Sequence, residues 1–274
     1  DMQKFTDFTL ELMLPPNPIR PLNNSLSTHN TAISANPSPS NPSAAAGLTR
    51  FNGAAVDTVA NCNGCHTLNT AQGFFGTGGK QTFEGEPQQA KVAHMRNDYT
   101  KVGMFGNSAG GSNTGEQIRG FGVLHDGSID TVRNFLTASV FALNTTEEAN
   151  LEALTFEFPS DLAPIVGQQV TLTAANATAV NPRISLLIQR ANADFDSLML
   201  GGSVKECDLI VKGTIDGVER GAVRQADGQF RTDKNEFLSD AAVRALATAA
   251  NGGPLTYTCA PPGSGTRMGI NRDE

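Results

Sequence analysis

Five consecutive residues, Cys62-Asn63-Gly64-Cys65-His66, constrain this chain more than the rest of its 274 positions. Bond lengths limit how far apart two thiols can lie if both are to add across the vinyl groups of one haem, and two intervening residues meet that limit. A histidine directly after the second cysteine then places its imidazole under the iron. Two other chemistries use a Cys-x-x-Cys pair. A thioredoxin-like dithiol wants a strand–CxxC–helix setting in a βαβ unit. A zinc site wants four ligands, and no second CxxC or histidine pair exists to complete them. The spacing therefore predicts one covalent haem c, held by thioethers from Cys62 and Cys65, with His66 as an axial ligand.

A sixth iron ligand has to come from elsewhere. Met104 lies in Lys101-Val102-Gly103-Met104-Phe105-Gly106, where flanking glycines let the backbone approach a flat ring closely. Methionine opposite histidine gives a raised potential suited to electron transfer, so His66 and Met104 are the expected pair. His94 and His125 compete for the position, Met95 and the remote Met199 and Met268 are further candidates, and an open or water-filled site is the remaining alternative.

Two cysteines are left over, Cys207 and Cys259. In a Cys-poor chain their economical use is a disulfide, which implies an oxidising compartment. Such a cross-link would remove denatured-state entropy worth roughly 4 kcal/mol. Two buried free thiols are the alternative. The net charge of −7 and the absence of a basic cluster argue against nucleic acid as a partner. No stretch approaches the apolar length of a membrane-spanning helix. The first residues have no charged start followed by an apolar run, which reads as a signal peptide already removed or as a piece of a longer protein.

Along the chain, residues 2–13 place Phe5, Phe8, Leu12 and Met13 at helical spacing, and Pro15-Pro16 stops that helix. Residues 15–42 hold seven of the fourteen prolines and few large apolar side chains, as an extended tether or surface-hugging loop would. A helix through Leu48, Phe51 and Val56 leads into the cysteine motif. Residues 67–86 read as loop, a short helix is expected over 87–97, and Gly103 to Gly122 is glycine-rich. Ser128 reads as an N-cap, with Asp130 in the first turn of a helix through Val132 and Leu136. Thr145 and Glu148 have capping-box spacing.

After Pro159 the pattern changes. Val170-Thr171-Leu172-Thr173 alternates like a strand, and Asn181-Pro182 opens a helix with Ile184, Leu187 and Ile188. Two β-rich runs, 208–215 and 218–224, flank Asp216-Gly217, a strong hairpin signal. A second Asp-Gly at 227–228 turns the chain back into 229–232. Ser239 caps a helix, and 255–259 is a last strand. The expected organisation is an N-terminal helix and arm (1–42), a haem domain (43–158), and a second domain (159–274). The expected fold class is a mainly α, cytochrome c-like domain with long loops, followed by a small α+β domain with a three-stranded antiparallel meander.

Lys91-Val92-Ala93-His94-Met95-Arg96-Asn97 resembles the lysine-valine-proline-x-leucine-arginine-asparagine stretch of the bacterial di-haem cytochrome c peroxidases, a family that includes the MauG-like proteins. Leu124-His125-Asp126-Gly127-Ser128, followed by Thr131-Val132, is similar to that family's histidine-aspartate-glycine-serine turn. The resemblance covers about residues 44–145. It implies that Arg96 reaches a haem propionate, as guanidinium geometry suits; an ion pair with Asp98 is the alternative. The family uses two haems in tandem domains and often a tryptophan between them, whereas this chain has one CxxCH and no tryptophan.

The leading expectation is a mono-haem electron carrier, or the electron-transfer module of a larger protein, in the bacterial periplasm or outside the cell. Its acidic surface would favour a redox partner with a basic patch, in an encounter weakened by salt. A peroxidase-type enzyme fragment with an open iron is the second expectation. A haem-bearing surface or assembly component, associated with other haem proteins or an upstream domain, is the third.

Overall fold

The structure is a computed structural model and describes residues 1–29, 41–82, 90–101, 122–124, 129 and 131–270. The chain forms two compact units, Asp1–Asp161 and Leu162–Glu274. The expected fold class is corrected. The described residues are 32% helix and 21% strand, and the largest regular feature is a six-stranded antiparallel sheet beside eight short α-helices. No mainly α cytochrome fold leads the chain. The helices of the first unit are each about one to three turns long, and the described residues between them add no further α-helix.

In the first unit, helix α1 (Met2–Leu10) is followed by α2 (Ala44–Phe51), α3 (Cys62–Cys65), α4 (Val132–Leu136) and α5 (Thr145–Phe156). Helix α1 forms as expected, with Phe5 and Phe8 exposed. Helices α2 and α5 pack so closely that a Cβ on Gly47 would sit 2.1 Å from the Asn150 carbonyl. Their core joins Phe51, Leu151, Leu154, Phe156 and Phe158 to Met95, Val132 and Leu136. Strands β1 (Leu68–Asn69) and β2 (Phe74–Phe75) form a small antiparallel ribbon in the segment expected to be loop.

Three local expectations shift. Residues 90–97 are not helical: the Thr82 and Val92 amides bond the Ala90 and Lys80 carbonyls, drawing the segment into an extended ladder. Ser128 and Asp130 lie outside the described residues, and the cap of α4 is Thr131, whose Oγ1 accepts from the Asn134 amide. The capping box of α5 is Asn144 with Glu147, one residue ahead of the expected pair.

Nor are residues 14–29 a free tether. Asn17, 2% exposed, donates to the carbonyls of Phe156 and Phe158, while Ser27 bonds the buried Glu157 carboxylate through its amide and hydroxyl. Side-chain amides and carboxylates here satisfy backbone that no helix or sheet would.

In the second unit, β3 (Gln169–Leu172), α6 (Ala177–Asn192), β4 (Asp194–Ser197) and β5 (Gly202–Lys205) precede the hairpin β6 (Asp208–Ile215) and β7 (Val218–Arg224). Then come β8 (Phe230–Thr232), β9 (Phe237–Leu238), α7 (Asp240–Leu246), β10 (Leu255–Ala260) and α8 (Gly265–Gly269). The hairpin forms where Asp216-Gly217 predicts it, with both residues at positive φ. The meander is longer than expected, because β10 inserts between β3 and β6 to give the order β3-β10-β6-β7-β8-β9.

Helix α6 begins four residues before Asn181, with Pro182 inside it, and its Ile184 and Leu187 are fully buried. Met268 and Ile270 cover Ile210, Val223 and Ala260 on the opposite face of the sheet. Cys207 and Cys259 form the expected disulfide. Glu206 is not part of a solvated face: it is buried and takes two hydrogen bonds of 2.6 Å from Arg190.

Candidate haem site

Cys62–Cys65 form a single helical turn. Asn61 caps it, accepting from the Gly64 amide at 2.8 Å, and the His66 amide closes the turn on the Cys62 carbonyl at 2.7 Å. A Cβ at Gly64 would sit 2.7 Å from the Ala60 methyl, so the close packing of the turn on Ala60 favours glycine. Asn63 accepts from the Leu68 amide at 2.8 Å, and Lys80 reaches the Gly64 carbonyl.

Both thiols and the His66 ring line one mostly apolar cavity of about 700 Å³. Cofactor and drug-sized pockets run from roughly 300 to 1,000 Å³, so a flat tetrapyrrole is within its capacity. Phe51, Val132, Phe135 and Leu136 supply apolar wall. Burial pushes the Cys62 thiol up to about 11, with Arg50 opposing, so it is a neutral thiol at neutral pH.

His66 Nδ1 lies 2.9 Å from the Gly76 carbonyl. A carbonyl only accepts, so Nδ1 carries the proton and Nε2 keeps its lone pair. Burial pulls the His66 pKa down, against the backbone carbonyls of Gly76 and Ala93, and holds the ring neutral. Neutral imidazole with its other nitrogen tied to a carbonyl is the form that ligates metal. The donor set and cavity therefore fit a haem bound through Cys62, Cys65 and His66.

Gly76 is itself tightly specified. Its φ is +83°, and a Cβ there would lie 2.6 Å from Met95 Cγ. Its amide donates to the Thr67 carbonyl, and the Met95 amide donates to the Phe75 carbonyl, both at 2.9 Å.

The structure brings some expected residues to the cavity and not others. His94 lines it, half-buried, with its pKa lowered first by burial and then by Arg96 and Lys91. Met95 lines it too while packing into the core. Met104 and His125 lie outside the described residues. Met268 packs in the core of the second unit.

Arg96 is not among the residues that line the cavity, and its ion pair is with the fully buried Asp161 at 2.6 Å rather than with Asp98; its guanidinium lies over the Phe75 ring. Asp98 lines the cavity instead, and burial pushes it up to about 7 although Lys101 pulls the other way. Asn61, Gly76 and Asp161 escape a sequence-based site. Asn61 stands at an N-cap position and could have been found there; Gly76 and Asp161 act across 10 and 65 residues, with no local signal.

No protein-family model, curated protein or solved structure matches this chain.

Proposed function

We propose that this is an exported c-type haem protein that carries single electrons, with one haem bound through Cys62 and Cys65 and His66 as an axial ligand. One observation carries the reading: a single helical turn sets both thiols and a neutral His66, tied through Nδ1, at the wall of one apolar cavity. A haem held there supplies a ferric/ferrous couple, the one-electron chemistry of the protein. The chain's own residues bind, orient and exclude water: Asn61 holds the turn, Gly76 fixes the ring of His66, and the core side chains dry the site.

Met104 is proposed as the second axial ligand, on the glycine-flanked sequence around it. The motifs around Arg96 and His125 support kinship with the di-haem peroxidase family. The disulfide, together with haem attachment, supports a periplasmic or extracellular location. No helix among the described residues is long and apolar enough to cross a membrane. The negative charge favours a redox partner with a basic patch.

A peroxidase-type enzyme is the second reading, and His94 favours it. Its imidazole lines the same cavity, is held towards the neutral form, and could exchange a proton beside an open iron.

The test is the absorption spectrum of the purified protein, oxidised and reduced, with and without carbon monoxide. A low-spin spectrum with a weak far-red sulfur-to-iron band and no carbon monoxide shift is the expected result. A high-spin spectrum that shifts with carbon monoxide transfers the lead to the enzyme. Loss of all haem from the denatured polypeptide overturns both.

A further inference from the structure

We infer that Arg96, Asp161 and Phe75 form a clamp that positions His66, by holding the Gly76 carbonyl in place to receive the Nδ1–H of its imidazole. The inference rests on the haem reading for its consequence, though not for its geometry.

Asp161 is fully buried and accepts from Arg96 Nη1 through both carboxylate oxygens, at 2.6 and 2.7 Å. The Leu14 amide donates to the same carboxylate at 2.7 Å, so the arm at 14–29 anchors the acid that anchors the arginine. The guanidinium carbon of Arg96 stands 4.8 Å from the centre of the Phe75 ring, and Phe75 is itself 1% exposed. A cation over an aromatic face in a desolvated setting is a directional contact, not merely a charge. The next residue is Gly76, whose carbonyl takes the His66 proton.

The chain of contacts is continuous: Asp161 to Arg96, Arg96 to Phe75, and Phe75 through one peptide unit to the carbonyl that orients His66. Two further ties limit what else could hold the segment. The Met95 amide donates to the Phe75 carbonyl, and Thr77 Oγ1 donates to the Val92 carbonyl. Both run to the extended segment just before Arg96, so the clamp on Arg96 is also the clamp on this segment. A hydrogen bond to the far nitrogen of a ligating histidine raises its basicity and fixes its orientation. A more basic imidazole stabilises ferric over ferrous iron, so the clamp holds the reduction potential down. Arg96 and Asp161 are thereby positioning residues, acting through Gly76 and touching neither haem nor iron.

Arg96→Lys and Phe75→Leu test this without changing net charge, so neither alters the potential through a lost charge. Each removes the stacked contact, and each leaves Asp161 or the apolar core filled. Two readouts are taken on the 15N-labelled purified protein: solvent exchange of the His66 Nδ1–H, and the reduction potential where haem is present. Both variants are expected to exchange that proton about tenfold faster, the change that follows from losing one ordinary hydrogen bond. Both are expected to raise the potential. Folded variants that exchange as slowly as the wild type overturn the clamp. The exchange readout needs no haem, so the two ideas fail separately. A wild type without covalent haem removes the haem reading while exchange still decides the clamp, and unchanged exchange in a haem-bearing protein removes the clamp alone.

Discussion

The two units reach order by opposite means. The second is built from regular hydrogen-bond ladders: a six-stranded sheet with a helix across each face and a disulfide tying β10 to the residue before β6. The first has more residues and, among those described, less regular structure, and it is held by side chains that bond backbone, among them Asn17, Asn61, Asn63 and Glu157. The contrast has a functional reason. The sheet of the second unit packs against helices, whereas in the first unit irregular segments clasped by polar side chains stand around a cavity of about 700 Å³. The cost is that one lost side chain releases several backbone groups at once.

Reducing the Cys207–Cys259 disulfide, or replacing both cysteines with alanine, is expected to destabilise the second unit by about 4 kcal/mol. The first unit should keep its midpoint in the same urea titration followed by separate probes. A shared loss of midpoint would show that the two do not unfold independently.

Asp161→Ala is the converse test on the first unit. It leaves the Arg96 guanidinium and the Leu14 amide without their acceptor in a buried site, and about 3 kcal/mol should be lost. A loss under about 1 kcal/mol, the range of exposed pairs, would mean that this network is not what holds the loops.

Gly76→Ala forces a side chain into positive φ and against Met95, and is expected to cost about 2 kcal/mol. Urea unfolding measures it. Among the second unit's glycines, Gly217 lies at a φ of +72° with open space around it, so Gly217→Ala should cost only about 1 kcal/mol. Equal losses would show that the cavity wall is no more tightly specified than an exposed turn.

The smallest effect concerns Asp98. Its pKa rises to about 7 in the folded state because burial disfavours the carboxylate. The folded protein therefore holds this proton more tightly than the unfolded chain. That contribution is complete below the unfolded value of 3.8 and is lost as pH rises through about 7. Asp98→Asn should gain on the wild type by about 1 kcal/mol between these limits, the shift being discounted for partial exposure. A flat difference across that range would mean the carboxylate is solvated.

Legibility in the sequence followed the range of each interaction. The Asp216-Gly217 hairpin, the Ser239 cap and the α6 face of Ile184 and Leu187 are set within a few residues and were legible. Over 90–97 the expected helix failed because Lys91 bridges Gln81 and the Val92 amide bonds the Lys80 carbonyl, contacts that no helical spacing reveals. The start of α6 was missed because the Asn176 side chain bonds back to Thr171 and Thr173 and makes no capping bond into the helix. At the site, Cys62, Cys65 and His66 announced themselves because covalent reach forces them to be neighbours. Arg96 stood out as well, but not its partner, since Asp161 lies 65 residues away.

Local chemistry alone thus decides the cysteine–histidine turn, the hairpin turns and the caps, because each is complete within about one helical turn or one β-turn. Tertiary structure alone decides that β10 enters the sheet between β3 and β6, that Arg96 faces Asp161, and that Gly76 offers its carbonyl to His66. Those choices are made by loop closure and burial. They depend on which distant groups can be desolvated together, and no short stretch of sequence carries that information.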